Sequence, residues 1–157
     1  MVDNKKNEKE TVVGGTFDIL HDGHKKLLRE ADGIGGRVMI GLTSDEMALQ
    51  TRNREIDGFE DRKKELELFI SGELKSKPDV VEIKDKFGST LERDFDYIVV
   101  SPETFPTAIA INEERKKINK KSIEIIKIDF VLAEDGKPIS SERISKGEID
   151  KHGKLLS

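Results

Sequence analysis

Two histidines that follow a pair of glycines have the chemistry to bind a phosphate. Residues 14–24 read GGTFDILHDGH, and His21 and His24 are three apart, so both imidazoles can face one pocket where this loop enters a helix. Glycines let the backbone approach a ligand closely, and Thr16 offers a hydroxyl group. A helix N-terminus attracts anions through its free N–H groups and its dipole, and imidazoles add directed donors. The segment predicts a phosphate site, with Gly23 leaving room for a flat group.

Two other interpretations of the histidine pair stay open on spacing alone. A histidine near the start of a helix is usually a polar surface residue. Two histidines three apart can also bind a metal ion, but no third ligand is evident nearby. We predict no metal site formed by protein side chains. Short motifs of this kind also arise by chance, so the pair needs support from the rest of the chain.

A pair of serines near the C-terminus forms a second candidate phosphate site. Residues 138–144 read PISSERI and open the last predicted helix. Ser140 and Ser141 can present hydroxyl and backbone N–H groups to phosphates. An ordinary serine cap of a helix explains the same residues, and by itself that explanation is the stronger one.

Strand and helix patterns alternate along the chain, and they decide where both motifs lie. The predicted strands are 11–13, 37–42, 79–83, 97–100 and 122–129, and the predicted helices run from 22 or 23 to about 31 and over 59–71, 106–119 and 140–149. This alternation is typical of an α/β fold with a mostly parallel five-stranded sheet and helices on both faces. Ligands of such sheets bind beyond the carboxyl ends of the strands. We predict a flexible tail over 1–10 and a single domain over 11–157.

The composition of the chain excludes several classes of function. The 157 residues carry a net charge of −4 and include no Cys, and no apolar run approaches the length of a membrane span. Disulfides and Cys-based zinc sites are therefore excluded. General nucleic-acid binders are usually basic, so we expect neither a nucleic-acid nor a membrane partner. The polar N-terminus lacks the apolar segment of a signal peptide, which makes the cytoplasm the expected location.

The first motif resembles the signature of the HxGH nucleotidylyltransferase superfamily, in which GTFD is followed by HDGH. The resemblance implies a Rossmann-like fold and a reaction at the α-phosphate of a nucleotide. PISSERI is similar to the ISSTxxR motif with which this superfamily grips the β- and γ-phosphates of ATP. Glu142 stands where the family usually has Thr, and Ser145 where it has Arg. Arg143 or Lys146 is a candidate for the missing cation, and we expect Glu142 to point away from the phosphates.

A third stretch, residues 97–115 (YIVVSPETFPTAIAINEER), resembles the archaeal phosphopantetheine adenylyltransferases and the matching domain of eukaryotic CoA synthase. That resemblance implies transfer of the adenylyl group of ATP to 4′-phosphopantetheine, which gives dephospho-CoA and pyrophosphate. Two anions must meet, so we expect the imidazoles, Arg side chains, the helix N-terminus and Mg²⁺ to offset their charge, with Mg²⁺ held mainly by the ATP phosphates. The alternatives are another enzyme of the superfamily, such as an FMN adenylyltransferase, and a nucleotide-binding regulator without activity.

The expected ligands are ATP, 4′-phosphopantetheine and dephospho-CoA or CoA, and the oligomeric state is not predicted. In the family, the third stretch supplies an Arg and polar groups to the nucleotide; Arg115 matches the Arg, and Asn112 shares its helix face. The predicted catalytic residues are Thr16, His21 and His24. The predicted ATP-binding residues are Gly15, Thr16, Phe17, His21, His24, Asn112, Arg115, Ser140, Ser141 and Arg143. The predicted acceptor-binding residues are Thr16, Thr43, Arg52, Arg54, Ser101, Glu103 and Thr104.

Overall fold

Five parallel strands form one sheet in the order β3-β2-β1-β4-β5. The computed structural model describes residues 8–50 and 54–156. Its elements are β1 (Glu10–Gly15), α1 (Asp22–Gly33), β2 (Arg37–Thr43), α2 (Asp45–Gln50), α3 (Phe59–Glu73), β3 (Asp79–Ile83), β4 (Tyr97–Val100), α4 (Phe105–Lys117), β5 (Glu124–Lys127) and α5 (Ser141–Ser145). The predicted α/β fold with a five-stranded sheet is confirmed.

Apolar side chains cover both faces of the sheet, because alternate residues of a strand point to opposite sides. Val13 packs in a cluster with residues of α1 and α3, including Leu28 and Leu66. Its neighbour Val12 packs in a second cluster with Ile111 of α4. Helices therefore lie on both faces, as the alternating pattern predicts, and the ends of the strands are left open for a ligand.

Several boundaries differ from the predicted ones. Glu10 belongs to β1 rather than to the predicted tail, whose residues 1–7 lie outside the described part of the chain. The short helix α2 was not predicted, since its polar composition resembles a loop. The last helix ends at Ser145 instead of 149, because Gly147 has a φ of 77° that a helix does not continue through.

The order of the strands opens a crevice beside β1. The chain leaves β1 through α1 to reach β2 on one side, while β4 pairs with β1 on the other side. At such a switch point the two connections diverge, and a crevice forms beyond the carboxyl ends of the strands. The glycine-histidine motif follows β1 directly, so the topology places it at this crevice.

A small C-terminal unit holds the second motif against the first. Ala133, Ile139 and Ile149 form their own apolar cluster next to α5. The backbone N–H of Asp22 donates to the carbonyl of Lys151 at 3.1 Å, which docks the unit on the start of α1. No helix in the described part of the chain is long and apolar enough to cross a membrane.

Candidate active site

The loop between β1 and α1 has an unusual backbone. Phe17 has a φ of 48° and Ile19 a φ of 50°, although neither is glycine. The left-handed region costs such residues on the order of 1–2 kcal/mol each, so packing must hold them there. The buried ring of Phe17 lies over Gly15, where a Cβ atom would come within 3.0 Å of it. The same ring lies 5.3 Å from the ring of His24, so the folded-back loop supports the histidine pair.

The two histidines cap α1 reciprocally. The backbone N–H groups of Gly23 and His24 donate to Nδ1 of His21 at 3.0 and 3.4 Å. In return, the backbone N–H of His21 donates to Nδ1 of His24 at 3.3 Å. This is a capping box in which imidazoles take the places of the usual oxygen acceptors. Because each Nδ1 accepts a hydrogen bond, the proton of each neutral ring lies on Nε2.

The rings of His21 and His24 are stacked. Their centroids lie 3.7 Å apart with 17° between the ring planes. Burial lowers the pKa of His21 to about 4, although the nearby Asp22 opposes that shift. His21 is therefore uncharged at neutral pH, which corrects the expectation that this imidazole offsets negative charge as a cation. It offers a directed Nε2–H donor instead.

Gly23 makes room for the helix cap. A Cβ atom at this position would lie 2.9 Å from Cε1 of His21. The glycine thus makes room for the His21 ring. Gly23 also lines the histidine cleft, and its role in leaving space for a flat group stays a prediction.

Two clefts open at the carboxyl ends of the strands. The first, here called the strand cleft, has a volume of about 330 Å³ and is lined by the ends of β1, β2 and β4, by α4 and by residues 86–90. The second, here called the histidine cleft, has a volume of about 320 Å³ and contains His21, His24, Ser140 and Ser141. Glu103 lines both clefts, so they adjoin at this residue. The strand cleft is mainly apolar, whereas the histidine cleft offers many hydrogen-bonding groups.

Comparisons with known proteins agree with this arrangement. The family profile described as Cytidylyltransferase-like matches residues 12–147. The chain belongs to the cytidylyltransferase-like family. A phosphopantetheine adenylyltransferase of Methanosarcina acetivorans is 53% identical over 147 residues, covering 91% of this chain and 93% of the relative. One of Archaeoglobus fulgidus is 46% identical over 145 residues, with 92% and 97% covered.

A solved structure is also similar to this cytidylyltransferase-like chain. It is described as a protein of unknown function from Archaeoglobus fulgidus, has a TM-score of 0.72 and is 41% identical. The match covers 76% of this chain and 89% of that one. The predicted resemblance to the archaeal phosphopantetheine adenylyltransferases is confirmed by the sequence relatives.

The predicted acceptor-binding residues divide among several places. Those that line the strand cleft are Thr16, Thr43, Glu103 and Thr104, whereas Ser101 lines the histidine cleft. Arg54 lines neither cleft. Its side chain is 18% exposed, and its Nη1 lies 2.5 Å from Oδ2 of the buried Asp18. Arg52 lies outside the residues that the structure describes.

The predicted ATP-binding serines lie in the histidine cleft but are already hydrogen-bonded. The Ser140 hydroxyl accepts from the backbone N–H of Arg143 at 3.2 Å and caps α5. The Ser141 hydroxyl donates to the carbonyl of Asp18, which joins the second motif to the first. Of the remaining predicted residues, Gly15 lines the strand cleft, and Phe17 is buried in the apolar cluster with residues of α1 and α3.

Neither candidate for the missing motif cation faces the histidine cleft. The Arg143 guanidinium bonds to Asp135, Glu148 and the carbonyl of Pro138 within the C-terminal unit. Lys146 pairs with Glu142 at 3.1 Å on the surface. Glu142 is also among the residues that line the histidine cleft, so the expectation that it points away from the phosphates stays a prediction. The internal bonds of Arg143 occupy the guanidinium, and the contact of Arg143 with ATP stays a prediction.

Arg115 and Asn112, which were predicted to bind ATP, line neither cleft. Arg115 is 1% exposed and lies near the first residues of β4 and β5, at the opposite end of the sheet from the clefts. Its guanidinium donates to the carbonyls of Thr90, Arg93 and Lys121 and to Asp94. The Asn112 amide exchanges two hydrogen bonds with the backbone of Ile123. Both side chains hold α4 to neighbouring loops.

Sequence reasoning missed three contributors to the site. Asp18 belongs to the quoted motif, yet its buried bond to Arg54 was not foreseen. Residues 86–90 line the strand cleft from a loop without any distinctive pattern. Arg62 reaches the ends of β1 and β2 from α3. Its position four residues before Leu66, on the buried face of the helix, was the one available signal.

Proposed function

We propose that this chain transfers the adenylyl group of ATP to 4′-phosphopantetheine, giving dephospho-CoA and pyrophosphate in coenzyme A biosynthesis. One observation carries the proposal: the histidine cleft, which contains two imidazoles and two serines, adjoins the mainly apolar strand cleft at Glu103. The hydrogen-bonding groups of the histidine cleft suit a nucleotide, and the mainly apolar strand cleft suits the long, weakly polar arm of pantetheine. The names of the relatives support this choice of substrate.

In the proposed reaction, ATP occupies the histidine cleft. The β- and γ-phosphates lie at the start of α5, near Ser140 and Ser141, and the α-phosphate faces the imidazoles of α1. The Nε2–H donors of His21 and His24 bind the non-bridging oxygens, where negative charge accumulates in the transition state. The N-terminus of the 12-residue helix α1 adds its own partial positive charge.

The acceptor phosphate supplies the nucleophile. A phosphate monoester has a second pKa of about 6, so it is mostly a dianion at neutral pH and needs no protein base. One of its oxygens forms a bond to the α-phosphorus of ATP, and the bond from that phosphorus to the bridging oxygen breaks. Pyrophosphate leaves with the electron pair. The protein contributes by holding the two anions in line and by hydrogen-bonding to them.

Mg²⁺ is proposed as a companion of ATP. Within residues 8–50 and 54–156, no group of three His, Cys, Asp or Glu side chains could hold a metal ion. Mg²⁺ keeps most of its water ligands and commonly binds through substrate phosphates, where it offsets their charge. We therefore propose that Mg²⁺ is held mainly by the ATP phosphates.

Product analysis tests the proposal. Purified protein with ATP, Mg²⁺ and 4′-phosphopantetheine should form dephospho-CoA and release one pyrophosphate for each product, as followed by mass spectrometry and a pyrophosphate assay. A parallel reaction with FMN tests the nearest alternative substrate. Product formed only with FMN would refute 4′-phosphopantetheine as the acceptor. ATP binding without pyrophosphate release in the presence of any tested acceptor would indicate a regulator.

A further inference from the structure

A buried arginine of α3 contacts the residue that follows β1. The Arg62 side chain on α3 is 1% exposed. Its Nη1 donates to the carbonyl of Thr16 at 3.0 Å and to the hydroxyl of Thr43 at 3.2 Å. The Thr43 hydroxyl in turn donates to the hydroxyl of Thr16 at 3.0 Å. One chain of hydrogen bonds therefore runs from a permanent cation to a side chain of the strand cleft.

Other contacts hold the guanidinium in this place. Its Nε donates to the carbonyl of Asp57 at 2.8 Å, and its Nη2 lies 3.2 Å from Oδ1 of Asp45. Asp45 also accepts from the backbone N–H of Phe59 at 2.7 Å, which joins the first residue of α2 to the first residue of α3. Burying a charge is costly unless the group is paired and hydrogen-bonded, so these partners determine where Arg62 points.

The direction of this chain follows from the chemistry of its first member. A guanidinium has donors only, so the Thr43 oxygen must accept from it. The Thr43 proton is then directed to the oxygen of Thr16. Since the Thr16 oxygen accepts this bond, the hydroxyl proton of Thr16 remains available for another acceptor. Thr16 lines the strand cleft, so that acceptor can be a ligand bound there. A proton directed at a phosphate oxygen attracts it, whereas a lone pair repels it.

We propose that Arg62 is a positioning residue that acts through Thr43 to turn the Thr16 hydroxyl proton toward the acceptor phosphate. This inference rests on the proposed function, because it assigns the phosphate of the acceptor to Thr16. Arg62 and Thr43 touch no reacting atom in this scheme. Their effect is on one donor, so it concerns the acceptor and not ATP.

Isosteric variants of the threonines test the chain without opening a cavity. Thr43→Val keeps the volume and removes the hydroxyl; it should lower kcat/KM for 4′-phosphopantetheine about tenfold, the effect of one hydrogen bond to a charged group, while KM for ATP stays near normal. Thr43→Ser restores the hydroxyl and should recover most of this loss. In a Thr16→Val background, Thr43→Val should cause no further loss of kcat/KM.

Arg62→Lys tests the first member of the hydrogen-bond chain, since the ammonium keeps the charge and a donor but loses the planar geometry of the guanidinium. Its kcat/KM should fall in the wild-type background and stay unchanged in the Thr16→Val background. If Arg62→Lys does not fold, the Thr43 series decides alone. Additive losses in the double variants, or a similar loss in Thr43→Ser and Thr43→Val, would overturn the positioning role. A wild-type protein that makes no dephospho-CoA would instead refute the proposed function itself.

Discussion

At the start of α1, each imidazole has a separate task that a substitution can isolate. His24 contributes an Nε2–H donor within the histidine cleft and accepts one backbone hydrogen bond. His21 also lines this cleft, and its Nδ1 accepts from two backbone N–H groups of the helix. Loss of His24 is therefore expected to affect catalysis more selectively than loss of His21.

His24→Ala should lower kcat by about 10²- to 10³-fold, as removal of one preorganised donor to a transition state does. The dissociation constant of ATP should stay within several-fold of normal, because other groups of the histidine cleft hold the remaining phosphates. Steady-state kinetics with direct ATP titration measures both. His152→Ala is a matched control, since that histidine is 69% exposed and pairs with Asp22 outside the cleft. Near-normal kcat in a folded His24→Ala protein would remove this catalytic role.

The lowered pKa of His21 predicts a loss of stability in mild acid. Its folded-state pKa of about 4 lies below the reference value of 6.5, so the unfolded chain takes up the proton first as the pH falls. The free energy of unfolding is unaffected above pH 6.5 and should decrease between 6.5 and 4. The pKa difference sets an upper value of about 3 kcal/mol for this decrease.

His21→Asn provides the comparison, because asparagine caps helices well but does not titrate in this range. Urea unfolding at several pH values should show a flatter profile for the variant than for the wild type. At pH 7.5 the two proteins should differ by about 1 kcal/mol or less. Parallel pH profiles would show that His21 does not account for the acid sensitivity.

At the scale of elements, α4 combines two ends with different tasks. Thr104, which precedes it, and Thr107 in its first turn line the strand cleft. Arg115 in its last turn is buried among the loops that precede β4 and β5. The helix therefore carries ligand contacts at one end and structural bonds at the other.

Arg115→Met should reduce stability without changing the chemistry. Methionine replaces much of the aliphatic length but leaves the carbonyls of Thr90, Arg93 and Lys121 without their donor. Breaking a buried charged network of this kind costs about 3 kcal/mol. Thermal unfolding should show the loss, while kcat and the ATP dissociation constant at a permissive temperature stay near normal. A specific loss of ATP binding in the folded variant would restore the nucleotide-binding role.

At the scale of the whole molecule, the proposed function assigns each of the two clefts to a different substrate. Thr107→Trp should fill part of the strand cleft and raise KM for 4′-phosphopantetheine about tenfold or more, with little change in ATP affinity. Val131→Trp, in the histidine cleft, is the reciprocal variant and should weaken ATP instead. Initial-rate kinetics with each substrate varied in turn checks the pair. If both variants weakened the same substrate, the assignment of the clefts would be wrong.

Local patterns in the sequence were sufficient to predict the α/β fold and to locate the first motif. The β-branched runs and the alternation of strands and helices predicted all five strands and both covered faces, since hydrophobic periodicity depends on residues near one another in the chain. The motif around His21 and His24 was located for the same reason: both histidines belong to one short loop and one helix start. Similarity to known families then identified the type of reaction.

Only the tertiary structure decided which polar side chains line the clefts. Helical spacing correctly put Asn112 and Arg115 on one face of α4, but that spacing carries no information about which loops pack there. Ser141 bonds to a residue 123 positions away, and Arg62 bonds to one 46 positions away. A buried polar group needs a partner, and the partner is supplied by the fold and not by the neighbouring sequence. For this reason the division into two clefts, the neutral state of His21 and the chain from Arg62 to Thr16 became visible only in three dimensions.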